Sequence, residues 1–367
     1  MITNSIHLLD TPSLLLNLNV LEKNLDQISG IAKKNQIKWR PHIKTHKSIQ
    51  IAKMQMERGA CGITVAKLEE AEIMAEAGVD NILIAYPLSS KQKLERLRKL
   101  TNTAHVIISI DSKQQGELVN KAFQGAKQIE VWIKVNSGLN RCGVEVEEVL
   151  ELAEVITKLN NLKLTGIFTH AGHSYAASSE KEIKEIAICE AETVLKSVEA
   201  CEKSGISITQ RSVGSTPTYK YGASIEGITE IRPGNAAFHD MCQVGLGVAT
   251  TEQCALTILA SVVSVKKDRF IFDIGSKALA LDQGAHGNTS VKGHGFVKGH
   301  PEITIARLSE EHGVATFSSE TALNLTDKVQ VIPNHACVVA NLFNEYIVHR
   351  DGEVVDTWNV DARGKMK

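Results

Sequence analysis

The chain has 367 residues, of which 43% are hydrophobic and 23% are charged, and its formal net charge is -1. This balance is typical of a globular protein and lacks the basic excess that binding to a phosphate backbone requires, so nucleic acid is not an expected partner. Because the length exceeds what one core usually organises, we expect one large domain and one smaller domain.

The N-terminal segment shows no signal for secretion or for membrane insertion. It has no basic region and is interrupted by Asp10 and Pro12, and no apolar run in the chain approaches the roughly 20 residues of a membrane span. Seven cysteines are scattered without a C-x-x-C pair, a pattern that indicates reduced thiols. These features predict a cytoplasmic protein without a membrane partner.

From residue 37 onward, short β-branched runs alternate with longer stretches of helical period. One helical stretch, KLEEAEIMAEAG, places Leu68, Ala71 and Met74 on one face and ends at Gly78. Eight such strand and helix units predict a closed (β/α)8 barrel over residues 12–245. The eight predicted strands begin near Ile37, Cys61, Asn81, His105, Ile129, Leu164, Ile208 and Ile228.

After about residue 245 the long helical patterns disappear. Segments such as ALTILASVVSVKKDRFIFDIG and KVQVIPNHACVVAN read as strands closed by Gly and Asn turns. They predict a smaller antiparallel β domain over residues 246–367, which we expect residues 1–11 to complete. The predicted fold class is therefore α/β, with a TIM-like barrel followed by a β domain.

Polar residues follow several of the predicted barrel strands. The active site of a (β/α)8 barrel lies at the C-terminal ends of its strands, so we expect these side chains to converge on one mouth. The candidates are His42 and Lys44 after the first strand, Arg141 after the fifth, His170, His173 and Tyr175 after the sixth, and Arg232 after the eighth.

The stretch GSTPT follows the seventh predicted strand. Its turn exposes backbone N–H groups and hydroxyls, which suit a phosphate, and the loops after strands seven and eight are the usual phosphate site of such barrels. Gly214, Ser215 and Thr216 are therefore candidate phosphate contacts. An ordinary Ser/Thr/Pro turn is the alternative interpretation of the motif taken alone.

The stretch RPHIKTHKS gathers five cationic or titratable residues into nine positions. A lysine flanked by Arg40, His42 and His46 would lie in a field that favours the neutral amine, which Schiff-base chemistry requires. Lys44 is the candidate, and a solvated basic loop is the alternative. A lysine and a phosphate site at one mouth together indicate pyridoxal 5'-phosphate as cofactor.

Several motifs in register resemble the D-threonine aldolase and D-serine dehydratase family, the alanine-racemase-like branch of pyridoxal-phosphate enzymes. The resemblance spans nearly the whole chain and implies a homodimer that acts on a small amino acid. The motifs are RPHIKTHKS, THAGHSY, GSTPT, EIRPG, DIGSKALALD, SEEHG and PNHAC.

The same resemblance implies roles for individual residues. Lys44 matches the cofactor lysine and Tyr175 an active-site tyrosine, while His170 is similar to the histidine that stacks on the ring. Arg232 resembles the residue that meets the pyridine nitrogen, although Glu230 could compete for that place. His42 and Arg141 are expected to complete the cofactor site, together with the phosphate loop.

The pair His335 and Cys337 would, on spacing alone, be interpreted as two core residues, because zinc sites normally show a second ligand pair. In the family that the chain resembles, the corresponding pair binds a divalent metal. A thiolate suits zinc, whereas a carboxylate suits manganese or magnesium, so zinc is the expected metal.

The resemblance leaves two reactions open. In a dehydratase, Lys44 removes the α-proton and the metal helps hydroxide leave; in an aldolase, a base takes the β-hydroxyl proton and the Cα–Cβ bond breaks. His173, His312 or a metal-bound water could be that base. The alternatives outside this class are an amino-acid racemase without a metal, a non-catalytic cofactor carrier and a sugar-phosphate barrel.

Overall fold

The structure is a computed structural model that describes residues 5–284 and 287–367, and its strands form two sheets. Strand β1 (Ser13–Asn17) belongs to the second sheet. The strands of the first sheet are β2 (Lys38–Trp39), β3 (Ile63–Val65), β4 (Ile82–Ile84), β5 (Val106–Ile110), β6 (Ile129–Lys134), β7 (Leu162–Phe168), β8 (Gln210–Val213) and β9 (Glu230–Ile231).

The first sheet is the predicted parallel barrel. Its strand order is β2-β9-β8-β7-β6-β5-β4-β3, and every pair in it is parallel. The two ends meet, because Thr64 N donates to Pro41 O at 2.8 Å and a parallel bridge joins His42 to Thr64. The (β/α)8 prediction is therefore confirmed, and each predicted run overlaps one of the eight strands; β7 begins at Leu162, two residues before its predicted run.

Helices cover the outside of the barrel. The predicted helix KLEEAEIMAEAG is α3, in which Leu68, Ala71 and Met74 are buried and after which Gly78 adopts a positive φ of 83°. The helices are α1 (Leu18–Lys34), α2 (Ile49–Glu57), α3 (Leu68–Glu76), α4 (Lys91–Leu100), α5 (Lys113–Ala122), α6 (Val149–Thr157), α7 (Glu180–Lys203), α8 (Tyr219–Gly222) and α9 (Met241–Gly245). Within the described residues, no helix combines the length and hydrophobicity that a bilayer span requires.

The barrel interior is filled by large side chains. Trp132, Phe168, Leu83 and Ile107 form one buried cluster inside it. Gly166 makes room for this layer, because a Cβ at that position would lie 2.8 Å from the ring of Trp132. The interior is thus closed below the mouth, and ligands are restricted to the C-terminal ends of the strands.

The second sheet has nine strands in the order β11-β14-β13-β12-β15-β10-β1-β16-β17. It is antiparallel as predicted, except that β1 pairs in parallel with β16, since two strands from opposite ends of the chain are not constrained by a hairpin. Its further elements are β10 (Leu256–Val265), β11 (Phe270–Phe272), α10 (Ser276–Leu279), β12 (Phe296–Val297), β13 (Ile303–Leu308), β14 (Gly313–Phe317), β15 (Lys328–Ile332), α11 (Ala336–Ala340), β16 (Glu345–Arg350) and β17 (Glu353–Asn359).

The chain crosses between the two sheets at its N-terminal end. Strand β1 lies between β10 and β16, and helix α1 of the barrel follows it directly. The domain limits, 12–245 for the barrel and 246–367 with residues 1–11 for the second domain, stay a prediction. Strand β1 falls within the predicted barrel range, but it pairs with strands of the second sheet. Residues 1–4 of the predicted N-terminal contribution lie outside the described residues.

Candidate active site

Two adjoining cavities open at the mouth of the barrel. The larger measures about 570 Å³ and the smaller about 230 Å³, and both are lined by His42, Lys44, His170 and Arg232. Arg141 and Gly214 line only the larger cavity. The smaller cavity is lined in addition by Tyr175, Ser215, Thr216, His335 and Cys337. The structure therefore brings together every predicted site residue except His173.

The basic residues of the stretch RPHIKTHKS have different partners. Arg40 pairs with Glu230 inside the barrel at 3.0 Å, and Lys47 pairs with Glu70 at 2.8 Å. His46 is buried against Gln55, and burial lowers the pKa of His46 to about 3, so its ring is neutral. Arg40 and His46 therefore do not supply the positive field that the sequence predicted beside Lys44. Of the five basic residues in this stretch, Lys44 and His42 line the cavities.

Lys44 lies in a short 3-10 helix (Ile43–Thr45) that begins directly after the barrel bridge at His42. His42 caps this turn, since its Nδ1 accepts from Lys44 N at 3.4 Å. Burial, followed by the charges of Lys44, His170 and Arg232, holds the pKa of His42 well below its usual value. His42 is therefore a neutral acceptor that fixes the backbone carrying Lys44.

The predicted phosphate loop is held from behind by Glu190 of α7. Its carboxylate accepts from Gly214 N at 2.9 Å, from Ala171 N at 3.1 Å and from the Thr218 hydroxyl at 2.9 Å. Burial raises the pKa of Glu190, and these three hydrogen bonds oppose that effect. The carboxylate therefore ties the loop after β8 to the segment of His170 after β7.

The cavity-facing side of this loop presents hydroxyls. The Ser215 and Ser174 hydroxyls lie 2.9 Å apart, and Tyr175 hydrogen-bonds Thr216. On the neighbouring loop, a Cβ at Gly234 would lie 3.0 Å from the carbonyl oxygen of His42, so a larger residue would crowd this close backbone approach. The sequence prediction of a small-residue cradle is consistent with this geometry.

Arg232 is held by a chain of buried polar contacts. Its Nη1 donates to the Ser212 hydroxyl at 2.6 Å, and that hydroxyl donates to Glu230 Oε1 at 2.6 Å. Glu230 in turn pairs with Arg40, so it lies behind Arg232 and lines neither cavity. Burial lowers the pKa of Arg232 to about 10, a value that leaves the guanidinium charged near neutral pH.

His335 and Cys337 come from the second domain, at the start of α11. The Cys337 sulfur lies 3.1 Å from the hydroxyl of Thr45, the neighbour of Lys44 in the chain. The side chains of His335 and Cys337 also hydrogen-bond each other. Burial by itself raises the pKa of the Cys337 thiol, but His335, Lys44 and Thr45 together lower that pKa below its usual value. The thiolate, which is the form that ligates metal, is therefore favoured.

His173 lies near the cavities without lining them. Its ring packs against Gly138, where a Cβ would lie 3.2 Å from the ring, and burial lowers its pKa. His312, the other histidine considered as a base, lies on the turn between β13 and β14 with its Nδ1 3.5 Å from the Ser309 hydroxyl. A catalytic role for His173 stays a prediction that these positions do not support.

Two contributors to the site escaped the sequence analysis. Lys134 lies in the larger cavity, where its ammonium donates to Ala85 O at 3.2 Å and burial lowers its pKa. Glu190 was also missed, although a signal was present: a carboxylate occupies the stripe of buried apolar positions on α7. That stripe consists of Ile183, Ala187, Ala191, Val194 and Val198.

The residues of the larger cavity fit the pyridine ring of the predicted cofactor. Among its lining residues, the described chain provides four cations and no carboxylate, which suits a phenolate and a phosphate. The buried Nε2 of His170 has no hydrogen-bond partner among the described residues. A buried nitrogen without a partner indicates a ligand surface, so the fit supports the cofactor prediction.

Comparison with known proteins identifies two family domains in the chain. Residues 16–241 match the alanine racemase N-terminal domain, and residues 255–349 match the putative serine dehydratase domain. The D-threonine aldolase of an Arthrobacter species is 30% identical, over 97% of this chain and 93% of its own length. The D-threo-3-hydroxyaspartate dehydratase of Delftia sp. is 29% identical, over 95% and 97% respectively.

Solved structures agree with these relatives. The D-threonine aldolase of Filomicrobium marinum is similar with a TM-score of 0.91 and 28% identity, over 99% of this chain and 98% of that chain. A D-threo-3-hydroxyaspartate dehydratase structure of equal TM-score, 0.91, is a cysteine-to-alanine variant in the metal-free form. The resemblance found in the motifs is confirmed: the chain belongs to the alanine-racemase-like family of pyridoxal-phosphate lyases that includes D-threonine aldolase and D-serine dehydratase.

Proposed function

We propose that this protein is a pyridoxal-phosphate- and divalent-metal-dependent lyase that acts on β-hydroxy-D-amino acids. One observation carries the proposal: Lys44, the phosphate-loop residues Ser215 and Thr216, and the pair His335 and Cys337 line the same small cavity. A substrate held there would present its α-carbon to the lysine and its β-hydroxyl to the metal ligands. The relatives are named as enzymes of D-threonine, D-serine or 3-hydroxy-D-aspartate, and these names support this class of substrate.

The cofactor would be held by residues that line the two cavities. Lys44 would carry it, Ser215 and Thr216 would receive its phosphate, and Arg232 would meet its pyridine nitrogen. When bound, pyridoxal phosphate withdraws electrons from the α-carbon of an amino acid and so weakens the bonds to that carbon. His42 and His170, both kept neutral by burial, add no competing charge to the ring site.

Side chains of the protein would then accept and donate the protons of the reaction. The amine of Lys44 would take the α-proton. Tyr175 is buried, and this burial, with Cys337 and Asp240 nearby, holds its pKa well above the usual value, so its hydroxyl remains a donor. Arg232 keeps its charge, which disfavours a proton on the pyridine nitrogen and restrains charge delocalisation into the ring.

The metal would be bound by His335 and Cys337, and when bound it would act as a Lewis acid at the β-hydroxyl. In the described residues, no group of three or more His, Cys, Asp or Glu side chains is placed to hold a metal. Two protein ligands therefore leave coordination positions for water and substrate. A thiolate and an imidazole favour zinc over manganese or magnesium.

A product assay on the purified protein tests this proposal. The protein is stripped with a chelator, loaded with pyridoxal phosphate and supplied with zinc or manganese. D-Serine, D-threonine, 3-hydroxy-D-aspartate and their L-forms are offered as substrates. Metal-dependent pyruvate from D-serine would establish dehydration, and glycine with acetaldehyde from D-threonine would establish aldol cleavage. A cofactor band without any metal-dependent product would contradict the lyase and indicate a racemase or a cofactor carrier.

Two further properties rest on the family resemblance and the sequence. We infer a homodimer, which light scattering on the purified chain would test. A cytoplasmic location is inferred from the seven scattered cysteines, which form no C-x-x-C pair. Both stay predictions.

A further inference from the structure

The carboxylate of Asp282 lies against the proposed metal ligand His335. Its Oδ2 is 3.1 Å from His335 Nδ1. Asp282 follows helix α10 in a loop that is tied to the residue before His335, because the side-chain amide of Asn334 donates to Asp282 O at 3.3 Å and to Gly293 O at 2.8 Å. The backbone of the loop is thus anchored beside the ring that its side chain touches.

The contact assigns the two nitrogens of the ring. An ionised carboxylate can only accept a hydrogen bond, so Nδ1 must be the nitrogen that carries the proton. In the neutral ring the other nitrogen, Nε2, then keeps a free lone pair, and this is the nitrogen left for a metal ion. The same contact fixes the rotation of the ring about its side-chain bonds.

We propose that Asp282 is a positioning residue for the metal: it holds His335 in the tautomer and orientation that ligate the ion shared with Cys337. This inference rests on the proposed metal-dependent function. Carboxylates that accept from a ligating imidazole increase metal affinity in this way, because they orient the ring and raise its basicity. Asp282 acts through His335 and does not itself need to touch the ion or the substrate.

The other nearby carboxylate is already engaged elsewhere. Asp240 Oδ2 accepts from Ala336 N at 2.9 Å and from the Asn235 side chain at 2.6 Å, and Asp240 Oδ1 accepts from Gln243 N at 3.2 Å. Asp240 therefore shapes the backbone turn between the two ligands. Of the two carboxylates, Asp282 is the one that hydrogen-bonds the imidazole, whose other contact is with its fellow ligand Cys337.

Zinc binding to the metal-free protein tests the inference without measuring activity. The unaltered chain and the variants Asp282→Ala and Asp282→Asn are titrated with zinc in competition with a chromophoric chelator. We expect Asp282→Ala to bind zinc about 10- to 100-fold more weakly. Asp282→Asn should lie between, because an amide oxygen still accepts from Nδ1 but carries no charge.

Glu311→Gln is the matched control. Glu311 is also an exposed carboxylate of the second domain, paired with Lys277 and not with His335, so its variant should bind zinc as the unaltered chain does. The thermal unfolding of all metal-free variants should coincide. Equal zinc affinity of Asp282→Ala and the unaltered chain would overturn the positioning role alone, as would equal weakening in Glu311→Gln. No zinc binding by the unaltered chain would overturn the proposed metal site as well.

Discussion

At the scale of single residues, similar side chains in one short stretch have different tasks. Arg40 and Lys47 are neutralised by buried carboxylates, and His46 is neutral within the core. Among the described residues, Lys44 has no carboxylate partner, and it faces both cavities. A buried cation costs less when it is paired, which accounts for the partners of Arg40 and Lys47, and the half-buried, unpaired Lys44 remains the candidate for contact with a ligand.

Replacing Lys44 tests its role directly. We expect Lys44→Ala to lower lyase activity by about 10²- to 10⁴-fold or more, since the variant loses both the attachment of the cofactor and the base. Attachment of the cofactor is measured as the mass of the protein after reduction with borohydride in the presence of pyridoxal phosphate. The exposed Lys53→Ala variant should gain the mass of the cofactor, and the same gain in Lys44→Ala would contradict the assignment.

The identity of residue 337 should determine the preferred metal. Because a carboxylate suits manganese and magnesium better than a thiolate does, Cys337→Asp should lower the ratio of zinc- to manganese-supported activity by about tenfold or more. The ratio is measured on protein that has been stripped with a chelator and reloaded. The exposed Cys189→Ser variant is the control, and a ratio unchanged in Cys337→Asp would argue against ligation by residue 337.

At the scale of elements, helix α7 organises the site from the outside of the barrel. Its buried stripe packs on the barrel, and at one position of that stripe Glu190 reaches the ends of two strands. The loop of the phosphate cradle and the segment of His170 are therefore fixed to each other through one carboxylate. A helix so placed sets the distance between the phosphate end and the ring end of the cofactor site.

Loss of this carboxylate should destabilise the fold and weaken cofactor binding. Glu190→Ala leaves two buried N–H groups without an acceptor, which we expect to lower the free energy of unfolding by about 2–4 kcal/mol. Urea unfolding and a fluorescence titration with pyridoxal phosphate measure the two effects. Glu192→Ala, an exposed change on the same helix, should cost at most about 0.5 kcal/mol, and an equal cost for both variants would contradict the role of Glu190.

At the scale of the whole molecule, the site is complete only because two domains share it. Lys44 and the phosphate loop belong to the barrel, whereas His335 and Cys337 belong to the second sheet. The contact between Thr45 and Cys337 joins them, and one continuous apolar cluster extends from the barrel helices to the second sheet. Packing between the domains therefore sets the distance from Lys44 to the proposed metal ligands.

The stability of the whole molecule should fall in mild acid. Burial, with Lys220 nearby, lowers the pKa of His239 to about 3, whereas a histidine in the unfolded chain titrates at about 6.5. Between these values the unfolded chain binds more protons, so the free energy of unfolding decreases as the pH drops below about 6.5. His239 alone should contribute about 2 kcal/mol of this decrease at pH 5.

The variant His239→Asn isolates this contribution. Asparagine tolerates the positive φ of 50° at this position and does not titrate, so the variant should lose less stability than the unaltered chain between pH 7 and pH 5. Urea unfolding at each pH gives the slope. The exposed His7→Asn variant is the control, and an unchanged slope in His239→Asn would refute the prediction.

Much of the fold was predictable because it depends on local patterns. The eight barrel strands follow from apolar runs separated by amphipathic helices, and helix α3 follows from the spacing of Leu68, Ala71 and Met74. The position of the candidate site followed from the general rule that active sites of such barrels lie at the C-terminal ends of the strands. The strand β1 was harder to place, because nothing local to Ser13–Asn17 shows which sheet its edges will join.

The sequence by itself determined the family, the barrel, and the candidates Lys44, Gly214 to Thr216, Arg232, His335 and Cys337, since each lies in a motif or at a strand end. Only the tertiary structure decided which charges are paired. Glu230 binds Arg40, Glu190 holds the phosphate loop, and Asp282 meets His335, over separations of 190, 24 and 53 positions along the chain. Such partners depend on how the barrel closes and how the second sheet packs on it, and no local pattern of residues records either.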